Sequence, residues 1–196
     1  MVKNKQAEII LTFDDGPTNL LDDILTILNK NKVQALFFWQ TGMLPSGNKL
    51  EKVLSDGHLI GTHSHSHRIL TELSYEEQYN EMLKSKILLE QALHEPIRLF
   101  RPPYGLYNDE TFKVAKALNL EIVLWSVASW DWKHPKDPHQ IIENVVDHIE
   151  AGHTVLLHEL PQTVTILDSL IREIRKKNLT FSSPHTVVQL EGNDTR

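Results

Sequence analysis

The sequence predicts an α/β fold in which parallel strands form a barrel, and three observations lead to this expectation. Apolar runs of strand length alternate with segments of helical periodicity. Seven apolar runs of this kind can be counted along the chain. Polar side chains suited to catalysis follow several of them at the C-terminal end, and in a parallel barrel those ends converge on the face that carries the active site.

The predicted elements follow one another without an internal repeat or a linker. The strands are expected at residues 8–13, 33–39, 59–62, 97–100, 121–127 and 154–157, with a weaker one at 179–181. Helices are expected where apolar residues recur three or four positions apart, within 20–28, 75–87, 141–149 and 167–174. Ser74, Asp109 and Asp137 stand where helix N-caps are expected. We therefore expect one domain over residues 1–196, with a core at about 8–181.

The composition argues against several classes of protein. The chain of 196 residues carries a net charge of −6, and its basic residues are scattered except at 172–177, so we expect no nucleic-acid partner. It contains no cysteine, so any metal must be held by His, Asp or Glu.

No signal segment and no run of about 18 apolar residues occurs. We expect no membrane contact and a cytoplasmic chain as written, or a secreted or cell-wall protein if a leader has been removed. A monomer is expected.

Two short stretches supply the side chains that a metal-dependent hydrolase needs. Asp15, His63 and His67 would form a set of two histidines and one carboxylate, which leaves coordination positions open for water and substrate. The adjacent Asp14 would be free to act as a base. The stretches read Thr-Phe-Asp-Asp-Gly-Pro at 12–17 and His-Ser-His-Ser-His at 63–67.

Spacing alone leaves alternatives open in both stretches. An Asp-Asp-Gly-Pro string is often only a turn. The spacing of His63 and His67 would bring two imidazoles together on a helical turn, but the same run would also suit a solvated loop. On an extended segment, His65 would share a face with the other two histidines and would compete as a ligand.

The two stretches resemble the first two motifs of the polysaccharide deacetylases, the family with a NodB homology domain known as carbohydrate esterase family 4, whose members hydrolyse acetyl groups on sugars. Three later segments continue the resemblance in the family's order, from about residue 11 to residue 181. They are Arg-Pro-Pro-Tyr-Gly at 101–105, Ala-Ser-Trp-Asp-Trp at 128–132 and Leu-Leu-His-Glu at 156–159. The resemblance implies a distorted (β/α)7 barrel related to the TIM barrel.

The resemblance also implies the roles of the first three motifs. The middle position, His65, is not a ligand in the family. Asp14 would be the catalytic base, paired with Arg101, whose guanidinium would keep the carboxylate ionised. The main-chain N–H of Tyr104 would donate to the oxyanion, and the prolines beside it would fix the loop.

The last two motifs would complete the catalytic site. Asp131 would anchor Arg101 or His158, and Trp132 would wall a sugar-binding groove, whereas Trp125 is expected in the core. Leu156 would line the pocket for the acetyl methyl group. His158 would protonate the leaving amine, since an imidazole titrates near neutrality.

Two positions depart from the family pattern. Ala128 stands where the fourth motif usually has Asp, and Glu159 stands where the fifth commonly has Asp.

The expected function is therefore a metal-dependent deacetylase that hydrolyses N-acetyl, or alternatively O-acetyl, groups of a carbohydrate containing N-acetylglucosamine and releases acetate. Zinc is the expected metal, and Co²⁺, Ni²⁺, Mn²⁺ or Fe²⁺ would suit the same ligands. Two alternatives remain open. One is a hydrolase of a small non-peptide amide on the same scaffold, and the other is a catalytically impaired module that binds metal and carbohydrate.

Overall fold

The computed structural model describes residues 7–44 and 49–186, which form eight strands and six α-helices. The strands are β1 (Ala7–Gly16), β2 (Ala35–Trp39), β3 (Leu59–Thr62), β4 (Leu99–Phe100), β5 (Glu121–Ile122), β6 (Val127–Ala128), β7 (Thr154–His158) and β8 (Leu179–Phe181). The helices are α1 (Leu21–Asn31), α2 (Lys49–Ser55), α3 (Tyr75–Leu93), α4 (Asp109–Ala117), α5 (Pro138–Val146) and α6 (Pro161–Lys176). Across these two ranges, no helix is both long and apolar enough to cross a bilayer.

The strands form one curved sheet in which every pairing is parallel. Their order is β5-β4-β3-β2-β1-β7-β6, and β8 pairs with the beginning of β1. The two ends of this order, β5 and β6, are consecutive in the chain, so the short connection 123–126 completes the circuit. This arrangement confirms the predicted α/β class with parallel strands.

The fifth predicted strand, 121–127, is interrupted in the structure. β5 pairs with β4, β6 pairs with β7, and the residues between them join neither ladder as a regular strand. The Arg101 side chain explains the break, because its Nε donates to the Val123 carbonyl at 3.0 Å and its Nη2 to the Leu124 carbonyl at 3.1 Å. Between β5 and β6, the Arg101 guanidinium thus supplies the hydrogen-bond donors that a neighbouring strand would otherwise supply.

The two faces of the sheet bury different sets of side chains, as the alternation of a strand requires. Outward-facing residues such as Leu11, Phe13 and Phe37 join the main core beneath the helices. The opposite face carries a small separate cluster inside the barrel, made of Leu36, Phe38, Leu99 and Val123. Each fully buried large apolar side chain contributes roughly 1.5–3 kcal/mol, so both faces stabilise the strands that position the site.

Side-chain caps fix the helices that begin at the C-terminal end of the barrel. Ser74 and Glu77 form a capping box at the start of α3. The start of α4 has a second box between Asn108 and Thr111, so the cap is Asn108 and the predicted Asp109 is the first helical residue. Caps of this kind each contribute about 1 kcal/mol and hold the preceding loops in place.

Two helices, α2 and α4, have no counterpart among the predicted apolar faces. α2 is only seven residues long, and α4 buries few large apolar residues. Both helices are short, so each offers few positions at which an apolar repeat could be recognised.

His58 is a buried polar residue whose role is structural. Its Nδ1 accepts a hydrogen bond from the Ala35 backbone N–H at 3.0 Å, its ring packs edge-on against Phe37, and Nε2 has no hydrogen-bond partner among the described residues. Burial lowers the pKa of His58 to about 4, with a small opposing effect from Asp56. The neutral imidazole is therefore the form that the fold accommodates.

We expect His58 to make folding stability depend on pH. Its pKa in the folded chain lies below the ordinary 6.5, so its contribution is present above pH 6.5 and is lost as the pH falls towards 4. The loss between pH 7 and pH 5 should be about 2 kcal/mol. Urea unfolding of wild type and His58→Asn, both in EDTA, measures it.

The variant should lose this share of the pH dependence, whereas His148→Asn, a change at an exposed histidine, should retain it. Equal pH dependence in wild type and His58→Asn would contradict the assignment.

Candidate metal centre and catalytic groove

The predicted site residues come together because they follow the C-terminal ends of neighbouring parallel strands. Asp14 and Asp15 lie at the end of β1, and the register pairs Asp14 with Phe38 of β2 and with His158 of β7. His63 follows β3 directly and Arg101 follows β4 directly. The sheet topology therefore brings together residues that are up to 144 positions apart in the chain.

The candidate metal ligands are three side chains with mutually close donor atoms. Asp15 Oδ1 lies 3.2 Å from His67 Nε2 and 3.7 Å from His63 Nε2, and the two Nε2 atoms are 3.2 Å apart. His63 Nδ1 lies 2.7 Å from the Arg101 carbonyl oxygen, which can only accept, so this nitrogen donates and Nε2 has its lone pair free for a cation.

Burial and the neighbouring His63 lower the pKa of His67, and the opposing effect of Asp15 and Asp14 is smaller. The lowered pKa favours the neutral imidazole, which is the form that binds metals. This donor set fits a divalent ion such as zinc.

The histidine stretch is a bent loop and neither a helical turn nor an extended strand. Ser64 and His67 adopt left-handed backbone angles, with φ of 68° and 57°, and the His67 N–H donates to Ser64 Oγ at 3.1 Å. This bend brings the rings of His63 and His67 to 4.9 Å. His65 Nδ1 instead hydrogen-bonds Thr41 Oγ1 at 2.9 Å, so His65 does not belong to the ligand cluster.

Asp14 and Arg101 form a fully buried ion pair beside the ligand cluster. Arg101 Nη1 donates to Asp14 Oδ1 at 2.8 Å and to Thr12 Oγ1 at 2.7 Å, and its guanidinium stacks 4.2 Å above the centre of the Phe38 ring. The other carboxylate oxygen, Asp14 Oδ2, lies 3.7 Å from His63 Nε2. One oxygen of Asp14 is thus held by the guanidinium, while the other faces the candidate metal centre.

Asp131 pairs with His158 on the opposite side of the groove, and not with Arg101. His158 Nδ1 lies 2.7 Å from Asp131 Oδ1, and the His158 backbone N–H donates to Oδ2 at 2.7 Å. Thr163 Oγ1 donates to the same Oδ2. Burial disfavours the imidazolium, but the hydrogen bond and charge of Asp131, helped by Asp14 and Asp15, prevail and raise the pKa of His158. His158 is therefore suited to carry a proton near neutral pH.

The site opens into a groove with a cavity volume of about 770 Å³. Leu156 lines the groove and is buried. Ala128 also lines it, and its methyl group offers no hydrogen-bonding atom there. Trp132 is half exposed and packs edge-on against His158. The ring centres of Trp130 and Trp132 are 5.0 Å apart.

Trp125 also lines the groove, so the expectation that it lies in the core is corrected. Its ring lies 5.6 Å from the Arg101 guanidinium.

The third motif places Tyr104 at the rim. Its side chain is exposed and contacts the His67 ring edge-on at 4.7 Å, and its backbone is left-handed, with φ of 60°. Asp15 and Trp130 share this conformation, with φ of 66° and 57°. Such backbone angles are costly for residues with a side chain and tend to cluster at functional sites.

Two further groove residues, Gln40 and Glu159, were given no role by the sequence analysis. Gln40 Nε2 donates to Asp15 Oδ1 at 2.6 Å. Glu159 is buried and accepts hydrogen bonds from Trp39 Nε1 at 3.0 Å and from the Thr18 backbone N–H at 2.7 Å. Its Oε1 also lies 1.9 Å from the position that a Cβ on Gly16 would take, so only glycine fits there. Only the position of Glu159 in the fifth motif drew attention to it.

The sequence is similar to known polysaccharide deacetylases. A family profile described as Polysaccharide deacetylase matches residues 2–123. A peptidoglycan-N-acetylglucosamine deacetylase of Bacillus cereus is 35% identical over 192 residues, covering 92% of this chain and 87% of that protein. The peptidoglycan-N-acetylmuramic acid deacetylase PdaC of Bacillus subtilis is 32% identical over 193 residues, covering 97% of this chain and 40% of that protein. The chain therefore spans most of one relative and less than half of the other.

Solved structures agree with these similarities. The Bc1960 peptidoglycan N-acetylglucosamine deacetylase superposes with a TM-score of 0.86 at 30% identity, covering 93% of this chain and 88% of that one. BA3943, a pseudoenzyme of carbohydrate esterase family 4 from Bacillus anthracis, superposes with the same TM-score at 26% identity, covering 94% and 66%. These likenesses confirm the distorted (β/α)7 barrel.

We expect Asp131 to be the main cause of the raised pKa of His158. Asp131→Asn removes the negative charge, so the imidazole pKa should fall below that of wild type. Histidine NMR titrations of both proteins in EDTA measure the difference.

Thr163→Val serves as the matched control, because it removes a hydrogen bond to Asp131 but keeps the carboxylate. It should change the pKa of His158 much less than Asp131→Asn does. An unchanged His158 titration in Asp131→Asn would refute the assignment.

Proposed function

Since the chain belongs to the polysaccharide deacetylase family, we propose that it hydrolyses the N-acetyl groups of a carbohydrate containing N-acetylglucosamine, releasing acetate and a free amine. The observation that carries this proposal is the juxtaposition in one groove of a candidate metal-ligand cluster, a paired carboxylate and a paired histidine. Relatives named as peptidoglycan deacetylases support the substrate class.

The ligand cluster fits a metal, and zinc is the ion we propose. Asp15, His63 and His67 would hold it, leaving coordination positions for water and the acetyl oxygen. A bound divalent ion would supply Lewis acidity, which acidifies a water molecule and polarises the acetyl carbonyl.

Asp14 is the proposed general base. Its Oδ2 faces the cluster while Arg101 holds Oδ1, so the carboxylate is oriented before the substrate arrives. Asp14 takes a proton as water attacks the acetyl carbon.

His158 is the proposed general acid. Asp131 holds its Nδ1 and leaves Nε2 directed towards the groove, 3.9 Å from Asp15 Oδ2. His158 donates its Nε2 proton to the departing amine, so the C–N bond breaks to give a neutral amine and acetate. The main-chain N–H of Tyr104 is proposed to donate to the oxyanion that forms between the two steps.

The groove supports a saccharide substrate. Trp132 offers an exposed indole face next to His158, and aromatic faces suit the apolar faces of sugar rings. Leu156 gives an apolar floor of the kind that an acetyl methyl group requires.

The alternative of a catalytically impaired module deserves a test, because BA3943 is a family 4 pseudoenzyme of the same fold. In this chain Asp14, Arg101, Asp131 and His158 all have the partners that the proposed reaction needs. This favours an active enzyme over a binding module. An acetate-release assay decides between them.

We expect Asp14→Asn and His158→Ala each to lower kcat by about 10²- to 10⁴-fold, since each removes one proton-transfer group. Acetate release from N-acetylglucosamine oligomers, measured with saturating zinc, provides the rate. Asp109→Asn and His148→Ala, at exposed positions outside the groove, should behave as wild type. Wild-type turnover in both groove variants would rule out these roles.

Removal of metal is expected to abolish acetate release, and zinc should restore it. Dialysis against a chelator followed by addition of Zn²⁺, Co²⁺, Ni²⁺, Mn²⁺ or Fe²⁺ tests this and ranks the ions. Full activity of a protein shown by elemental analysis to be metal-free would contradict a metal-dependent mechanism.

A substrate panel completes the test. Chito-oligosaccharides, muropeptides, O-acetylated xylan and small amides differ in linkage and size, and the proposal expects turnover of the first two. Turnover of small amides alone would favour the other hydrolase on this scaffold. If peptidoglycan is the substrate, the chain works outside the cytoplasmic membrane, which cell fractionation tests.

A further inference from the structure

The segment after β2 connects the end of β1, which carries Asp15, with residues 63–67, the histidine loop. We refer to residues 40–42 as the bridge. On one side, the Gln40 backbone N–H donates to the Gly16 carbonyl at 2.9 Å, and the Gln40 side chain donates to Asp15 Oδ1 at 2.6 Å. The bridge thus binds both the backbone and the Asp15 carboxylate at the end of β1.

On its other side, the bridge binds the histidine loop. The Thr41 backbone N–H donates to the Ser64 carbonyl at 3.3 Å, and the Gly42 N–H donates to the His65 carbonyl at 2.8 Å. Thr41 Oγ1 also hydrogen-bonds His65 Nδ1. A Cβ at Gly42 would lie 2.8 Å from the His65 carbonyl oxygen, so glycine allows this close approach. The bridge therefore sets the distance between the end of β1 and the histidine loop.

Within the bridge, the Gln40 amide reaches the ligand atom itself. Asp15 Oδ1 is the carboxylate oxygen nearest to His67 Nε2 and lies within 3.7 Å of His63 Nε2. An ionised carboxylate oxygen only accepts hydrogen bonds, so the Gln40 group that faces it must be the NH2. The Asp15 side chain is 40% exposed. The rotamer of Asp15 therefore depends on partners such as this amide.

We propose that Gln40 is a positioning residue that holds Oδ1 of Asp15 in place as a metal ligand and thereby sets the metal affinity. The inference rests on the metal site of the proposed function and adds a residue that no motif includes. Hydrogen-bond partners of ligating carboxylates typically change metal affinity by about 10- to 100-fold when they are removed.

The test measures zinc affinity directly, by competition with a chromophoric chelator. Gln40→Met keeps the length of the side chain but removes the donor, and it should bind zinc about 10- to 100-fold more weakly than wild type. The control is Gln140→Met, the same change at a half-buried glutamine of α5 outside the groove, which should bind zinc as wild type does.

A second readout separates positioning from a general loss of structure. In EDTA, Gln40→Met should melt within a few degrees of wild type, whereas the rise in melting temperature on adding zinc should be smaller. If Gln40→Met does not fold, Gln40→Asn replaces it, because its amide is one methylene shorter and loses contact with Asp15. Failure of both variants to fold would show that Gln40 is structural and would overturn the proposal.

The remaining outcomes are equally decisive. Zinc affinity of Gln40→Met within twofold of wild type would overturn the positioning role. Weak deacetylation by Gln40→Met that is recovered at saturating zinc supports it. A wild-type chain that binds zinc but releases no acetate would refute the proposed function and leave this inference standing, whereas a wild-type chain that binds no zinc would overturn the ligand set and the inference with it.

Discussion

The buried ion pair between Arg101 and Asp14 is the interaction on which the rest of the structure depends. Its guanidinium is fully enclosed, and each nitrogen has an oxygen partner from β1 or from the 123–126 connection. A buried charge is stable only when such partners compensate for lost hydration, and removing one partner is strongly destabilising. The same contacts close the gap between β5 and β6, so one side chain completes the barrel wall and orients the candidate base.

Arg101 can serve both the fold and the site because the site lies at the C-terminal ends of parallel strands. His158 is the last residue of β7, His63 and Arg101 directly follow β3 and β4, and Asp14 lies two residues before the end of β1. The buried strands therefore fix the backbones of all four residues. The residues that turn away from the strands are different, since Asp15, His67 and Tyr104 hold left-handed backbone angles. The core thus supplies rigid positions, while hydrogen-bonded loops supply the directions of the side chains.

The sequence was sufficient to predict the elements and residues that local patterns encode. Buried strands are continuous apolar runs, so they could be predicted. The candidate metal ligands lie in two contiguous strings, so they could be proposed from the sequence. The break in the fifth predicted strand could not be predicted, because it depends on Arg101, which lies more than twenty positions away in the chain. Gln40 was missed for the same reason, since a glutamine after a strand has no distinguishing pattern until the fold places it beside Asp15.

Left-handed backbone also occurs far from the groove, and its consequence there is different. Lys32 and His94 end α1 and α3 with φ of 55° and 54°, a conformation that glycine adopts at no steric cost. Replacing either by glycine would relieve roughly 1 kcal/mol of unfavourable backbone energy. Thermostabilised forms of this chain can therefore be engineered at its helix termini, leaving catalytic geometry intact.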